Sequence, residues 1–309
     1  MIMNTRFSTA LFLFTLLLAS ASFAAEPAKV KKALYLGLDG TRFDALQAAE
    51  TPHLKALVKD GIHADNCLIL GERYQKNDTI SGPGWSTILT GVWADKHGVH
   101  DNSFKGRKYE AFPHLFQHLK QQQSDARTVS LVTWSPIEDF IVSAADVHQK
   151  WEDKSKDYAK YDASCAAEAV KQAADPKLTC LFVYFGQVDE AGHKHGFHPT
   201  VKPYLTAIET VDKHVGEVVA AVRARESYQN EDWIIVVTSD HGGKGLGHGS
   251  GHKVPEILNS FMVVSGDSAQ RGKFEEQTYL VDPAVTVLTH LGVKIDPEWK
   301  LDGVARGLK

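Results

Sequence analysis

Short, continuous apolar runs recur along this chain: ALYLGL (33–38), TVSLVTW (128–134), TCLFVYF (179–185) and WIIVVT (233–238). Each is too short for a buried helix, and each lacks the polar alternation of a strand with one wet face. Such runs predict strands covered on both sides, which is the condition of a parallel sheet. Amphipathic stretches separate them: TPHLKALVKDGI (51–62), FPHLFQHLKQQQ (112–123), YDASCAAEAVKQAAD (161–175) and TVKPYLTAIETVDKHVGEVVAAVRAR (200–225). The first has a Thr51 cap, Pro52 in the opening turn and Gly61 at its end, the ordinary punctuation of a helix. NSFMVVSG (259–266) and DPAVTVLTHLGV (282–293) continue the pattern with a strand and a helix. The alternation predicts an α/β fold, doubly wound, with a mostly parallel sheet and helices on both faces. No internal repeat or low-complexity linker interrupts it, so 26–309 reads as a single domain, with the Asp- and Lys-rich stretch 141–160 as a surface excursion.

The chain of 309 residues is long enough for one large core, and its formal net charge of −4 lacks the basic excess of a nucleic-acid binder. Its N-terminus has the layout of an export signal over 1–25. Arg6 precedes the apolar run ALFLFTLLLA (10–19), and SASFAAEP follows with small residues suited to cleavage. That run is short for a bilayer span, so the expectation is a periplasmic or secreted protein without a membrane anchor after cleavage. Cys67, Cys165 and Cys180 have no ligand-like spacing; an oxidising compartment permits one disulfide among them, and spacing selects no pair. Oligomeric state has no signature here.

Fifteen histidines are the unusual feature of the composition. Three of the strand-like runs end in an acid: Asp39 after ALYLGL, Asp189 after LFVYFGQV and Asp240 after WIIVVTS. One aspartate at a strand end is an ordinary turn residue. Three at the same edge of one sheet form a negative cluster that needs cations. Imidazoles accompany them. Asp189 and His193 are one helical turn apart, Asp240 and His241 are adjacent, and His248 and His252 follow on the glycine-rich GGKGLGHGSGH. Among abundant divalent ions, mixed Asp and His ligands suit zinc, whereas magnesium and calcium prefer oxygen throughout. A second stretch, TISGPGWSTILTG (79–91), sets hydroxyls where a helix begins near Pro83–Ser86. A hydroxyl there is either a helix cap or a nucleophile beside an anion site.

Taken in order, Asp39 after its strand, the serine loop, D-x-x-x-H and S-D-H-G followed by H-G resemble the alkaline phosphatase superfamily. The nearest resemblance is to its type I phosphodiesterase and nucleotide pyrophosphatase branch. It covers about Lys32 to Gly266, and its motifs are specific jointly rather than singly. In that branch the nucleophile stands nine residues before the Thr of a Thr-Gly pair, with Pro two residues after it. Counting from Thr90 gives Ser81, with Pro83 in the proline position. The branch typically has threonine there, and alkaline phosphatase itself has serine. The resemblance also implies Asn102, in HGVHDN, as the side chain against the phosphoryl oxygens. Gly192 and Gly196 match the glycines of its D-x-x-G-H element, but the proline that usually follows is displaced to Pro199.

The implied metal ligands are Asp39, Ser81, Asp240 and His241 for one divalent ion, and Asp189, His193 and His248 for another, with His252 in reserve. The implied activity is hydrolysis of a small-molecule phosphate ester through a phosphoseryl intermediate. Lys244 is a further source of positive charge, or simply a solvated lysine. Diesters are favoured over monoesters, because no added arginine partner for a dianion is identifiable. Monoester, sulfate-ester and phosphonate hydrolysis within the superfamily, or a non-catalytic binding relative, are the alternatives. The sulfatase motif C/S-x-P-x-R is broken here, since Trp85 stands where its arginine belongs.

Overall fold

The computed structural model describes residues 1–2, 28–71, 73 and 76–309; the expected apolar leader and its cleavage sites lie outside the described residues. Eight strands form one sheet: β1 (Val30–Leu38), β2 (Ile62–Leu68), β3 (Arg127–Val132), β4 (Val147–Lys150), β5 (Leu178–Phe185), β6 (Glu231–Thr238), β7 (Asn259–Gly266) and β8 (Gly272–Lys273). Their order across the sheet is β4-β3-β5-β1-β6-β7-β2-β8. The run β4-β3-β5-β1-β6 is parallel throughout, while β7 lies antiparallel to both β6 and β2. The mostly parallel sheet expected from the apolar runs is therefore present, with one reversed strand.

Ten α-helices accompany the sheet among the described residues: α1 (Phe43–Ala48), α2 (Pro52–Asp60), α3 (Ser81–Thr90), α4 (Ala94–His97), α5 (Leu115–Gln122), α6 (Tyr158–Ala173), α7 (Gln187–His195), α8 (Lys202–Arg223), α9 (Pro255–Leu258) and α10 (Asp282–His290). Strand β1 shows why both faces must be covered. Leu34, Leu36 and Leu38 pack with residues of α1, α2, α6 and α8. Ala33 and Tyr35 point the other way, into the layer formed by α3, α5 and α10. A strand with helices on both sides has no wet face, so its sequence is continuously apolar. No helix among the described residues is long and apolar enough to cross a membrane.

Some elements depart from the pattern of apolar runs. Strand β2 alternates buried Ile62 and Ala64 with more exposed His63 and Asp65, because only one of its faces is fully covered. The expected surface excursion 141–160 is largely exposed but includes the short edge strand β4. Helix α3 starts at Ser81 rather than near Pro83–Ser86. Pro83 then falls in the first turn, where the missing N–H has no intrahelical partner to lose. All three cysteines are buried and unpaired.

One buried group outside the sheet edge makes stability pH-dependent. His97, at the end of α4, faces Thr87 Oγ1 through Nε2 at 3.1 Å and accepts the Val99 N–H on Nδ1 at 3.1 Å. Burial is the main reason that its pKa falls from 6.5 to about 3. A folded-state pKa below the unfolded value means that this contribution is complete above about pH 6.5 and is lost as pH falls toward 3. Below 6.5 the loss is about 1.4 kcal/mol per pH unit. In denaturant titrations, His97→Gln should flatten the acid side of the stability profile by about that slope; parallel profiles would contradict it.

Candidate active site

Strands β5, β1 and β6 are neighbours and run the same way, so their carboxyl ends open on one edge. Asp39 follows the last residue of β1, Asp240 lies two residues beyond β6, and Asp189 sits in the first turn of α7, just after β5. The three carboxylates therefore share one edge, where open α/β sheets bind ligands. Gly40 makes the approach possible. It adopts φ +62°, and a Cβ there would lie 2.5 Å from Asp189 Oδ1. Its N–H donates to Asp240 Oδ1 at 3.2 Å. Buried Asp162 holds the start of α7 by accepting the Gly186 and Gln187 N–H groups at 3.1 and 2.9 Å.

The side chains fall into two groups, Asp39–Asp240–His241 and Asp189–His193–His248, each offering ligand atoms within 4.8 Å of one another. In the first, His241 Nε2 lies 3.1 Å from Asp240 Oδ2, 3.6 Å from Asp39 Oδ1 and 3.3 Å from Ser81 Oγ. In the second, His248 Nε2 lies 3.0 Å from His193 Nε2 and 3.5 Å from Asp189 Oδ1, and His193 Nε2 lies 3.3 Å from Asp189 Oδ2. His252 is directed elsewhere, with Nε2 on the Asn77 carbonyl at 2.7 Å. The structure thus gathers Asp39, Ser81, Asp189, His193, Asp240, His241 and His248, and leaves His252 out. Lys244 pairs with Glu256 at the surface.

Donor chemistry tests whether these groups suit cations. The Nδ1 atoms of His193, His241 and His248 face the carbonyls of Leu246, Gly242 and Thr79, each at 2.9 Å. A carbonyl only accepts, so each Nδ1 carries a proton, and in the neutral ring Nε2 presents a lone pair. Those lone pairs converge on carboxylate oxygens. Asp39 Oδ1, Asp189 Oδ1 and Asp240 Oδ2 are buried and have no hydrogen-bond partner. Acceptors pointed at acceptors repel unless positive charge lies between them. The arrangement fits divalent cations, and the nitrogen and oxygen set fits zinc.

The titration behaviour carries the same message. Burial, then the charge of Asp189, pushes the Asp39 carboxyl up to about 6. Burial with Asp39 and Asp189 raises Asp240 well above the usual carboxylate range. Burial also opposes charge on Asp189, but the His193 hydrogen bond and the neighbouring imidazoles hold it low. His193 is correspondingly raised to about 9 by its hydrogen bond to Asp189, while burial depresses His248 to about 3. Protons take up the role of positive charge wherever they can reach.

Two aromatic residues outside the predicted set of site residues also belong to this site. Trp85 Nε1 and the Tyr184 hydroxyl both donate to Asp39 Oδ2, at 2.8 and 2.6 Å. They turn its other oxygen, Oδ1, toward His241. Trp85 occupies the position where the sulfatase motif has arginine, and here it orients an acid. Asn102 accepts the Gly82 N–H on Oδ1 at 2.7 Å. The Gly82 N–H is therefore committed to Asn102 and is not left over for a substrate oxygen. Beside these residues a cavity of about 330 Å³ is lined by Ser81, Asn102, Trp134, Tyr158, Glu190 and His193 among others, and no Lys or Arg lines it among the described residues.

Comparison with known proteins gives this arrangement its relatives. The family model "Type I phosphodiesterase / nucleotide pyrophosphatase" matches residues 33–284. The chain belongs to that family. Bis(5'-adenosyl)-triphosphatase ENPP4 of Bos taurus is 23% identical over 250 residues, covering 75% of this chain and 52% of its own length. Human ectonucleotide pyrophosphatase/phosphodiesterase family member 5 is 23% identical over 260 residues, covering 78% and 50%. The chain thus spans about half the length of these relatives. Among solved structures, an inactive variant of murine ectonucleotide pyrophosphatase/phosphodiesterase 5 in complex with AMP matches with TM-score 0.66 and 15% identity, covering 86% of this chain and 96% of that one. A 2-O GAG sulfatase matches with TM-score 0.69 and 13% identity, covering 89% and 73%. These structural likenesses confirm the alkaline phosphatase-like α/β fold.

Proposed function

We propose that this chain is an exported, two-metal hydrolase of phosphoric diesters, with Ser81 as nucleophile. The observation that carries the reading is the pair of acid–imidazole groups whose unpartnered oxygens and Nε2 lone pairs converge beside a serine at a helix N-terminus. Asp39, Asp240 and His241 would hold one ion with Ser81, and Asp189, His193 and His248 the other. Bound there, divalent ions supply charge neutralisation at the phosphoryl oxygens and make the serine hydroxyl easier to ionise.

The chain's own residues supply position. Helix α3 opens at Ser81, so its dipole favours an anion at that end, and Ser81 Oγ faces the cavity edge beside His241. With Asn102 Oδ1 anchored on Gly82, the amide nitrogen of Asn102 is the end left to donate to a non-bridging oxygen. In-line attack of Ser81 Oγ on phosphorus breaks the bond to the leaving oxygen and forms a phosphoseryl group. Water then attacks the same phosphorus and releases Ser81.

The substrate class follows from charge. A phosphomonoester carries two negative charges near neutrality, and the cavity offers no Lys or Arg for the second among its described lining. A diester carries one charge and presents less to neutralise. With zinc-loaded enzyme at pH 8, kcat/KM for bis-p-nitrophenyl phosphate should exceed that for p-nitrophenyl phosphate by about tenfold or more, equivalent to about 1.4 kcal/mol in the barrier. Reversal of that order would move the reading to monoesters. An inert protein that still bound zinc would move it to a binding relative.

A further inference from the structure

We infer that Thr79 is a positioning residue: it holds the glycine-rich loop so that His248 stays aimed at Asp189 and His193, and it ties that aim to Ser81 two residues later. The inference rests on the two-metal reading, because the consequence of that aim is the integrity of one ion site. Thr79 is buried and uses nearly all of its polar capacity on the loop. Its carbonyl accepts the His248 Nδ1–H at 2.9 Å, its hydroxyl donates to the His248 carbonyl at 2.5 Å, and the same hydroxyl accepts the Gly251 N–H at 2.8 Å.

Each contact has a separate effect. The carbonyl selects the His248 tautomer, leaving Nε2 as a lone pair 3.0 Å from His193 Nε2. The two hydroxyl bonds fix the backbone on both sides of the imidazole. Asp78 extends the clamp by accepting the Ser250 N–H at 2.6 Å and the Thr79 N–H at 2.8 Å on one oxygen. The Asp78 N–H in turn donates to the His100 carbonyl at 2.9 Å, two residues from Asn102. A loop this rich in glycine has many accessible backbone states, and restricting it costs conformational entropy. His248 therefore needs external restraint, and segment 78–79 provides it. Partners that orient a metal-ligating histidine typically affect metal affinity by about 10–100-fold.

The test is zinc stoichiometry and affinity of the full chain, measured by competition with a chromophoric chelator, with thermal melting of the apo protein alongside. Thr79→Val keeps shape and removes the hydroxyl. It is expected to weaken one of the two zinc ions by about 10–100-fold while leaving the other unchanged. His248→Ala should weaken the same ion, and Thr79→Ser, which restores the hydroxyl, should bind both ions like the wild type. Equal binding of both ions by Thr79→Val overturns the inference, as does loss in Thr79→Ser equal to that in Thr79→Val. If Thr79→Val does not fold, Asp78→Ala is read in its place. A several-fold weakening of the same ion supports the clamp, and unchanged affinity overturns it. A wild-type chain that binds fewer than two ions instead overturns the two-metal reading on which the inference stands.

Discussion

Ser81→Ala should lower kcat by about 10³-fold or more while zinc content and the melting temperature of the loaded protein stay near wild type. That loss corresponds to about 4 kcal/mol of transition-state stabilisation. The substitution removes one oxygen from the first turn of α3, at the edge of the cavity, so little packing is disturbed. Ser81 Oγ would be one contributor to its ion among Asp39, Asp240 and His241, which explains why the ion should remain. Where hydrolysis of the phosphoseryl group is the slower step, rapid-quench analysis of the wild type with a chromogenic diester should also show a burst of released phenol. A variant that retains near-normal turnover would remove Ser81 from the role of nucleophile and reassign the hydroxyl as a helix-terminal residue.

Chelation should abolish turnover and lower the melting temperature by on the order of 10 °C. Each ion held at a hundredfold excess over its Kd stabilises the fold by about 2.7 kcal/mol, so two contribute about 5 kcal/mol. For a chain of this size one kcal/mol corresponds to a few degrees. The structural cause is the edge where β5, β1 and β6 end. Asp39, Asp189 and Asp240 lie there with three buried oxygens lacking hydrogen-bond partners. Removing the cations leaves those oxygens facing one another and the imidazole lone pairs. Differential scanning calorimetry of zinc-loaded, chelated and zinc-restored protein checks the expectation. Coincident melting curves and an unchanged rate in chelator would exclude a metal role for this cluster.

Ser81 and the acids and imidazoles around it are legible in the sequence itself, and the reason is local. A strand covered on both faces must be apolar along its whole length, so β1, β5 and β6 announced themselves as continuous runs. The acid that ended each run marked a carboxyl end. Asp189 and His193 share a face because a helix repeats about every four residues, which is a property of spacing alone. Strand β2 was hidden for the same physical reason in reverse. Its polar alternates, such as His63 and Asp65, are tolerated on its incompletely covered face and break the apolar run.

Other features depended on contacts between segments far apart in the chain. Whether His248 or His252 completes the second group could not follow from loop spacing, since both sit on the same flexible stretch. Packing decided it, because Thr79 clamps one imidazole inward while the Asn77 carbonyl takes the other. Trp85 and Tyr184 look like ordinary core residues in a helix and a strand, and only their meeting with Asp39 turns them into orienting groups. The commitment of the Gly82 N–H to Asn102 is likewise a contact across 20 positions. Sequence alone determined the α/β fold and the acids and imidazoles at its sheet edge, because burial and helical spacing write periodic patterns. Which lone pairs point where was decided only by the tertiary structure, because hydrogen-bond direction depends on partners that periodicity does not encode.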